Sequence, residues 1–232
     1  MVLVTFVAVA LAAAGEAIVG VDEGVAASLH ANASPAATAG FQLVTQLGST
    51  AVLLGVAAIA AAYFARLGRR ADAAFLVLAF AGAEGMTWSL KALFQRERPS
   101  FEDPIATASS FSFPSGHALV SLAVYGALAC VLLDGLRSRR ARAACVAGTA
   151  LLVAAIGFSR LYLGVHYLSD VLAGLGVALA WLLLIATVRE WRPAISISWA
   201  RPVAARAVRS STLVIAMGLV LTFPTACGWD GD

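Results

Sequence analysis

The sequence predicts an all-α fold, a polytopic membrane bundle of six transmembrane helices. Three observations lead there. Of the 232 residues, 61% are hydrophobic and 12% charged, whereas a soluble domain carries about 25% charged residues. Apolar stretches long enough to cross a bilayer, about 20 residues each, recur along the whole chain. The basic residues between them alternate in density from one connection to the next, as the positive-inside rule requires.

The six stretches lie at about 2–21, 48–65, 73–93, 116–134, 143–162 and 166–188. Helix is the state available to them, because an open strand in lipid leaves backbone groups without partners. The first lacks a basic n-region and a convincing small-residue cleavage site, so it reads as a retained helix and not a signal peptide. Between the first two lies 22–47, with Asp22, Glu23, His30, Asn32 and Pro35. It reads as a polar loop with room for a short interfacial helix. A seventh apolar run at about 211–223 is short and ends at Pro224; it is a weak segment, open to spanning or to lying on the surface. Residues 1–190 therefore form one transmembrane domain and 191–232 a C-terminal tail. No internal repeat is evident.

Orientation follows from the arginines. Arg66, Arg69 and Arg70, then Arg137, Arg139, Arg140 and Arg142, then Arg189, Arg192, Arg201, Arg206 and Arg209 all fall on one side of a six-span arrangement. That side is expected to be cytoplasmic. The remaining basic residues, Lys91, Arg96, Arg98 and Arg160, lie at or near the opposite face. Topology alone would leave that face poor in cations, so these need another reason. The net charge of +3 with a pI near 9.0 does not imply nucleic-acid binding. Cys130, Cys145 and Cys227 form neither a metal-ligand spacing nor an even disulfide framework. One lysine against fifteen arginines, with much alanine, points to a GC-rich bacterial gene. Nothing in the sequence assigns an oligomeric state.

Three segments meet at the cation-bearing face. The end of the third span reads Lys91-Ala-Leu-Phe-Gln-Arg-Glu-Arg98-Pro99. The loop before the fourth contains Pro114-Ser115-Gly116-His117, and the turn between the fifth and sixth runs from Ser159-Arg160 to His166 and Asp170. His166 and Asp170 are four apart, one helical turn on one face. A carboxylate there can accept from one imidazole nitrogen, fix the tautomer, and leave the other nitrogen as a nucleophile. His117 opens a helix whose free N–H groups suit an anion. Lys91, Arg98 and Arg160 offer three cations, two of them guanidinium forks matched to phosphate oxygens. A cradle of this charge is what a phosphoryl-transfer transition state requires.

Together the segments resemble the three signature motifs of the type 2 phosphatidic acid phosphatase (PAP2) superfamily, KxxxxxxRP, PSGH and SRxxxxxHxxxD, with every fixed position matched. PSGH alone would be weak; all three in order, on one side of the membrane, are specific. The motifs cover 91–170, and the likeness extends loosely from the first span to about 188. It implies a PAP2/haloperoxidase-like core and a phosphatase of lipid phosphates. In that scheme His166 attacks phosphorus and becomes a phosphohistidine. His117 protonates the leaving group and then activates water, and Asp170 orients His166. Lys91, Arg98, Ser115, Gly116, Ser159 and Arg160 hold the phosphate. The resemblance implies no metal and no cofactor; Glu97, Glu102 and Asp103, close together in a loop, read as solvated.

The substrate expected from the resemblance is a lipid phosphate or diphosphate met in the bilayer from the outer leaflet. Undecaprenyl diphosphate comes first on family prevalence, with phosphatidic acid, phosphatidylglycerol phosphate and a polyprenyl-phosphosugar phosphate beside it. A bacterial plasma membrane with the site facing out is the setting implied. Three rival readings stand beside a phosphatase, one of them a transporter, which composition alone would allow but which should show helices broken at the bilayer midplane. A vanadate-dependent haloperoxidase shares the anion site but is soluble, and a non-catalytic lipid-phosphate-binding protein should have lost a nucleophile or a cradle residue. Glu84 and Glu16, ionisable groups within expected spans, are functional candidates on cost alone, without an assigned role. Arg96, beside Arg98 but off the motif, is given no role in the chemistry, a rim or headgroup contact being the lesser reading. His30 reads as non-catalytic.

Overall fold

The helix that begins at Gly116 is apolar all round, and that pattern belongs to a helix enclosed by others. In a computed structural model, which describes residues 15–190, it is the central element of an all-α bundle. The order is α1 (Gly15–Ala31), α2 (Pro35–Gln46), α3 (Thr50–Arg66), α4 (Arg70–Phe94), α5 (Gly116–Leu133), α6 (Arg139–Tyr162) and α7 (Leu168–Glu190). Among the described residues five stretches are long and apolar enough to cross a membrane: α2 with α3 as Pro35–Arg66, then α4, α5, α6 and α7 up to Arg189. Four of the expected spans thus coincide with α4 to α7 to within a few residues. Residues 2–14 of the first expected span, and the tail with its 211–223 segment, lie outside the described residues.

The expectation of a polar loop over 22–47 is corrected. That stretch is helical: α1 continues ten residues past the anticipated end of the first span, and α2 follows after a short turn. Two of its polar residues face inward, Asp22 and Thr45, while Glu23, Asn32 and Gln46 are exposed. Asp22 and Ala26, one turn apart, are both buried on the face that α1 turns to α6 and α7. Thr45 near the end of α2 is buried as well. The start of α2 has the expected chemistry once seen: Ser34 caps it by accepting from Ala37 N–H, and Pro35 occupies the first turn.

α5 packs against α3, α4, α6 and α7. One cluster of buried side chains, around Leu53, Leu119, Val124 and Ile156, fills the bundle beneath the site. A second, around Phe64, Phe75, Leu76, Val131 and Leu182, fills the other end. Lipid is as apolar as leucine, so close van der Waals contact and not transfer from water drives helix association here. Small residues permit that contact, and Ala57, Ala79, Ala83, Ala118, Ala123, Ala127 and Ala178 are all buried between helices. Large apolar residues such as Leu54, Ile59, Leu151, Leu172 and Leu183 are instead half-exposed or more, on the lipid side. Gly174 shows how tight the packing is. A Cβ there would lie 2.7 Å from the Ser115 carbonyl and 3.3 Å from Leu119 N, so only glycine lets α7 lie against the start of α5.

The end of the bundle remote from the motifs is closed by ion pairs. Arg189 in the last turn of α7 binds Asp72 in the first turn of α4 (2.6 Å) and Asp134 at the end of α5 (2.5 Å). Arg69 also binds Asp72. Arg142 donates to the Leu133 carbonyl (2.8 Å), satisfying a helix terminus that has no internal partner. These arginines hold helix ends together as well as marking a side.

Candidate active site

The C-terminus of α4, the N-terminus of α5, the C-terminus of α6 and the N-terminus of α7 meet at one end of the bundle. α4 stops at Gln95, whose backbone is left-handed (φ 46°) and whose N–H bonds the Lys91 carbonyl at 3.0 Å. This cap turns the chain back over the bundle. Residues 95–115 then form a long connection without helix, of the length that usually carries function. It is pinned internally by Ser112 N–H to the Arg96 carbonyl (2.8 Å) and to α7 by Ser115 N–H to the Asp170 carbonyl (3.0 Å). From outside, His30 stacks on Phe101 with ring centroids 4.0 Å apart, and its Nε2 is 3.0 Å from Asp103 Oδ1. The hydrogen bond from His30 holds the exposed Asp103 carboxyl below its usual range. His30 is therefore a loop anchor.

His166 and Asp170 are buried together at the start of α7. Nδ1 of His166 lies 3.3 Å from Asp170 Oδ2, and Nε2 lies 3.2 Å from Arg98 Nη1. Asp170 Oδ2 also accepts from the Tyr167 N–H (2.8 Å) and from the Ser112 hydroxyl. With Nδ1 turned to the carboxylate, the free lone pair is on Nε2, beside the first cation of the cradle. Burial is the main influence on the imidazole. It pushes the pKa down to about 3, helped by Arg160 and Arg98 and opposed by Asp170, so His166 is neutral at physiological pH.

Arg98 is laced into the connection by Nε to the Ser110 carbonyl (2.6 Å), Nη1 to the Val165 carbonyl (2.5 Å) and Nη2 to Ser110 Oγ (3.1 Å). Burial lowers its pKa, partly offset by Asp170. Lys91 is buried and donates to Ser110 Oγ (3.2 Å) and the Phe111 carbonyl. Arg160 donates from Nη1 to Thr45 Oγ1 on α2 (2.9 Å). His117, in the first turn of α5, lies within electrostatic range of Arg160, His166, Arg98 and Lys91. It sits under the α2–α3 turn, where a Cβ on Gly48 would come 3.0 Å from its ring and 2.4 Å from Ile156.

The structure thus gathers His166, Asp170, His117, Lys91, Arg98, Arg160, Ser115 and Gly116 around one point. Ser159 differs in one respect. Its buried hydroxyl donates to the Ile156 carbonyl (2.6 Å) within α6, so its proton serves the helix. Two of the buried side-chain atoms without a hydrogen-bond partner, Ser115 Oγ and Arg160 Nε, belong to the expected phosphate cradle. Buried polar groups are nearly always paired, so these two atoms are open to a bound oxyanion; His30 Nδ1 and Ser121 Oγ are buried and unpaired as well. Among the described residues, no group of three His, Cys, Asp or Glu is arranged to hold a metal ion.

Several residues at the site lie outside the sequence expectation. Ser112 and Ser110 precede the second motif, and Thr45 and Asp22 come from the stretch read as a loop. Arg96 is no rim residue, since it bonds Asp170 and Asp22, both at 2.8 Å. Burial opposes its charge, but these carboxylates outweigh that and raise its pKa. Three serines at 109, 110 and 112 in so apolar a chain are the available signal for Ser110 and Ser112. Glu84 points elsewhere, accepting from Thr50 Oγ1 on α3 at 2.9 Å.

Comparison with known proteins agrees with this geometry. The chain is 33% identical over 145 residues to phosphatidylglycerophosphatase B of Bacillus subtilis, covering 61% of this chain and 70% of that one. It is 42% identical over 88 residues to decaprenylphosphoryl-5-phosphoribose phosphatase of Mycolicibacterium smegmatis, covering 37% and 42% respectively. The crystal structure of the transmembrane PAP2-type phosphatidylglycerolphosphate phosphatase from Bacillus subtilis superposes with a TM-score of 0.75 at 28% identity, over 83% of this chain and 96% of that one. That of Aquifex aeolicus LpxE shares the fold, with a TM-score of 0.57 at 24% identity over 72% and 94%. The sequence model of the PAP2 superfamily matches residues 72–194. That is more than half of the chain and holds all three motifs, so this membrane-embedded lipid phosphatase belongs to the PAP2 superfamily.

Proposed function

We propose that the protein hydrolyses a phosphate monoester on a membrane lipid through a phosphohistidine on His166, at the extracytoplasmic face. The observation that carries this is the pairing at His166: Nδ1 against a buried carboxylate, Nε2 beside Arg98. In the reaction Nε2 forms a bond to phosphorus as the bond from phosphorus to the lipid oxygen breaks. Asp170 stabilises the charge that develops on the imidazole. His117 gives a proton to the departing alkoxide and then takes one from the water that cleaves the P–N bond, releasing phosphate and restoring His166. Lys91, Arg98, Arg160, Ser115 Oγ and the free N–H groups at the start of α5 take the phosphoryl oxygens. Residues 1–190 form the catalytic domain in this reading.

Among lipid phosphates, phosphatidylglycerol phosphate takes first place and undecaprenyl diphosphate second. Both named relatives remove phosphate from a lipid that bears it on a polyol headgroup, glycerol in one and ribose in the other. Purified protein in detergent should release phosphate fastest from phosphatidylglycerol phosphate in a panel with phosphatidic acid and undecaprenyl diphosphate. Activity should survive EDTA, and vanadate should inhibit by adopting the five-coordinate geometry of the transition state. Loss of activity in chelator with recovery only on Mg²⁺ would contradict the metal-independent route. Faster release from undecaprenyl diphosphate would reverse the ranking.

The facing of the site rests on charge. Arg66, Arg69, Arg70, Arg137, Arg139, Arg140, Arg142 and Arg189 lie at the end of the bundle remote from His166, and such a bias selects the cytoplasmic side. Glu102 and Arg140 are both exposed, in the 95–115 connection and at the start of α6. In a background without native cysteines, Glu102→Cys should react with a membrane-impermeant maleimide in intact cells. Arg140→Cys should react only after lysis. The reverse labelling would place the site in the cytoplasm.

A further inference from the structure

Asp170 is itself held, from the side away from His166, by a cluster whose members occupy no fixed position of the three motifs. Its Oδ2 serves His166, Tyr167 N–H and Ser112. Its Oδ1 accepts from Arg96 Nη1 at 2.8 Å. The same Nη1 reaches Ser169 Oγ (2.7 Å), Nη2 reaches Asp22 Oδ2 (2.8 Å), and the guanidinium lies 4.4 Å above the Tyr167 ring. Asp22 completes the cluster from α1. Its Oδ1 accepts the Ser169 N–H at 2.9 Å and its Oδ2 the Ser169 hydroxyl. A carboxylate from one helix thus caps the first turn of another, where the N–H groups lack internal partners.

Asp22 and Asp170 are 1% and 0% exposed, and buried carboxylates persist only with a charged or hydrogen-bonded partner. Arg96 is that partner for both. A guanidinium fork engaged at both ends by buried carboxylates is not free for a headgroup. It is, however, placed to set the rotation of Asp170.

We propose that Arg96 and Asp22 are positioning residues for the nucleophile: the Asp22–Arg96 pair fixes the Asp170 carboxylate so that Oδ2 faces His166 Nδ1, making α1 part of the catalytic apparatus. The proposal rests on His166 being the nucleophile.

The test uses the full chain in detergent, with short-chain phosphatidic acid as the probe and four variants, Arg96→Ala, Arg96→Lys, Asp22→Asn and His166→Ala. Misplacing a reacting group by about 1 Å can cost about 10²-fold, so Arg96→Ala should lose about that in kcat with KM within about two-fold of wild type. Millimolar guanidinium should restore part of the lost kcat, which it would not do for a merely structural defect. Arg96→Lys should fall between, because an ammonium is not a planar fork. Asp22→Asn should also lower kcat and not KM. A wild-type kcat in Arg96→Ala, or a loss lying in KM, overturns the proposal. If Arg96→Ala does not purify as a folded species, Arg96→Lys and Asp22→Asn are judged by the same split. An inactive His166→Ala beside a fully active Arg96→Ala removes this inference alone; an active His166→Ala removes the nucleophile assignment and this inference with it.

Discussion

Replacing His166 by alanine is expected to lower turnover by at least about 10³-fold, because the covalent route proposed for it would be lost and not merely slowed. His166 is 3% exposed and held neutral by burial, so its lone pair is available throughout the physiological range. Asp170 fixes which nitrogen carries that lone pair, and Arg98 stands 3.2 Å from it. No second imidazole has this environment. His30 is committed to Phe101 and Asp103, and His117 has no carboxylate partner among its neighbours. His166→Asn is the sharper variant, because its amide can still donate toward Asp170 while offering phosphorus no nucleophile. Phosphate release by both variants, measured in detergent against wild type, is the check. Retention of more than a few per cent of activity would assign the nucleophile elsewhere.

What could be read from the sequence was whatever is written locally. The spans α4 to α7 announced themselves by length and hydropathy, and the motif residues by fixed spacing over short distances. His166 and Asp170 needed only one helical turn to be seen as a pair. The residues that support them are joined across the chain and leave no local pattern. Asp22 meets Ser169 across 147 positions, Arg96 meets Asp170 across 74, and Ser112 meets Asp170 across 58. Asp22 was also misplaced for a physical reason. A charged residue in an apolar chain reads as a loop marker, and it ceases to be one only when a buried cation and a helix N-terminus are brought to it. The helices of 22–47 were obscured in the same way, since Asp22 and Thr45 are polar because of what they touch. Arg96 carried no assigned role in the sequence because Arg98 already accounts for the motif.

Arg160 should be the next most sensitive position, and the effect should separate activity from stability. Its Nη1 is bound to Thr45, while the buried Nε has no partner, so part of the fork remains available to phosphoryl oxygens. Arg160→Ala is expected to lower kcat/KM by about 10³-fold, the scale of losing a preorganised donor to a developing oxyanion. Arg160→Lys should recover only part of this, because one ammonium replaces a bidentate fork. The fold should not suffer in proportion. Arg160 is packed near Arg98, His117 and His166 without a carboxylate of its own, so its charge is a cost in the resting protein that is offset when the anionic substrate arrives. Sites built this way trade stability for function. Arg160→Ala should therefore melt in detergent no lower than wild type while losing nearly all turnover. A variant that melts far lower, with activity reduced only in step with the folded fraction, would make Arg160 a structural tie between α6 and α2 and not part of the cradle.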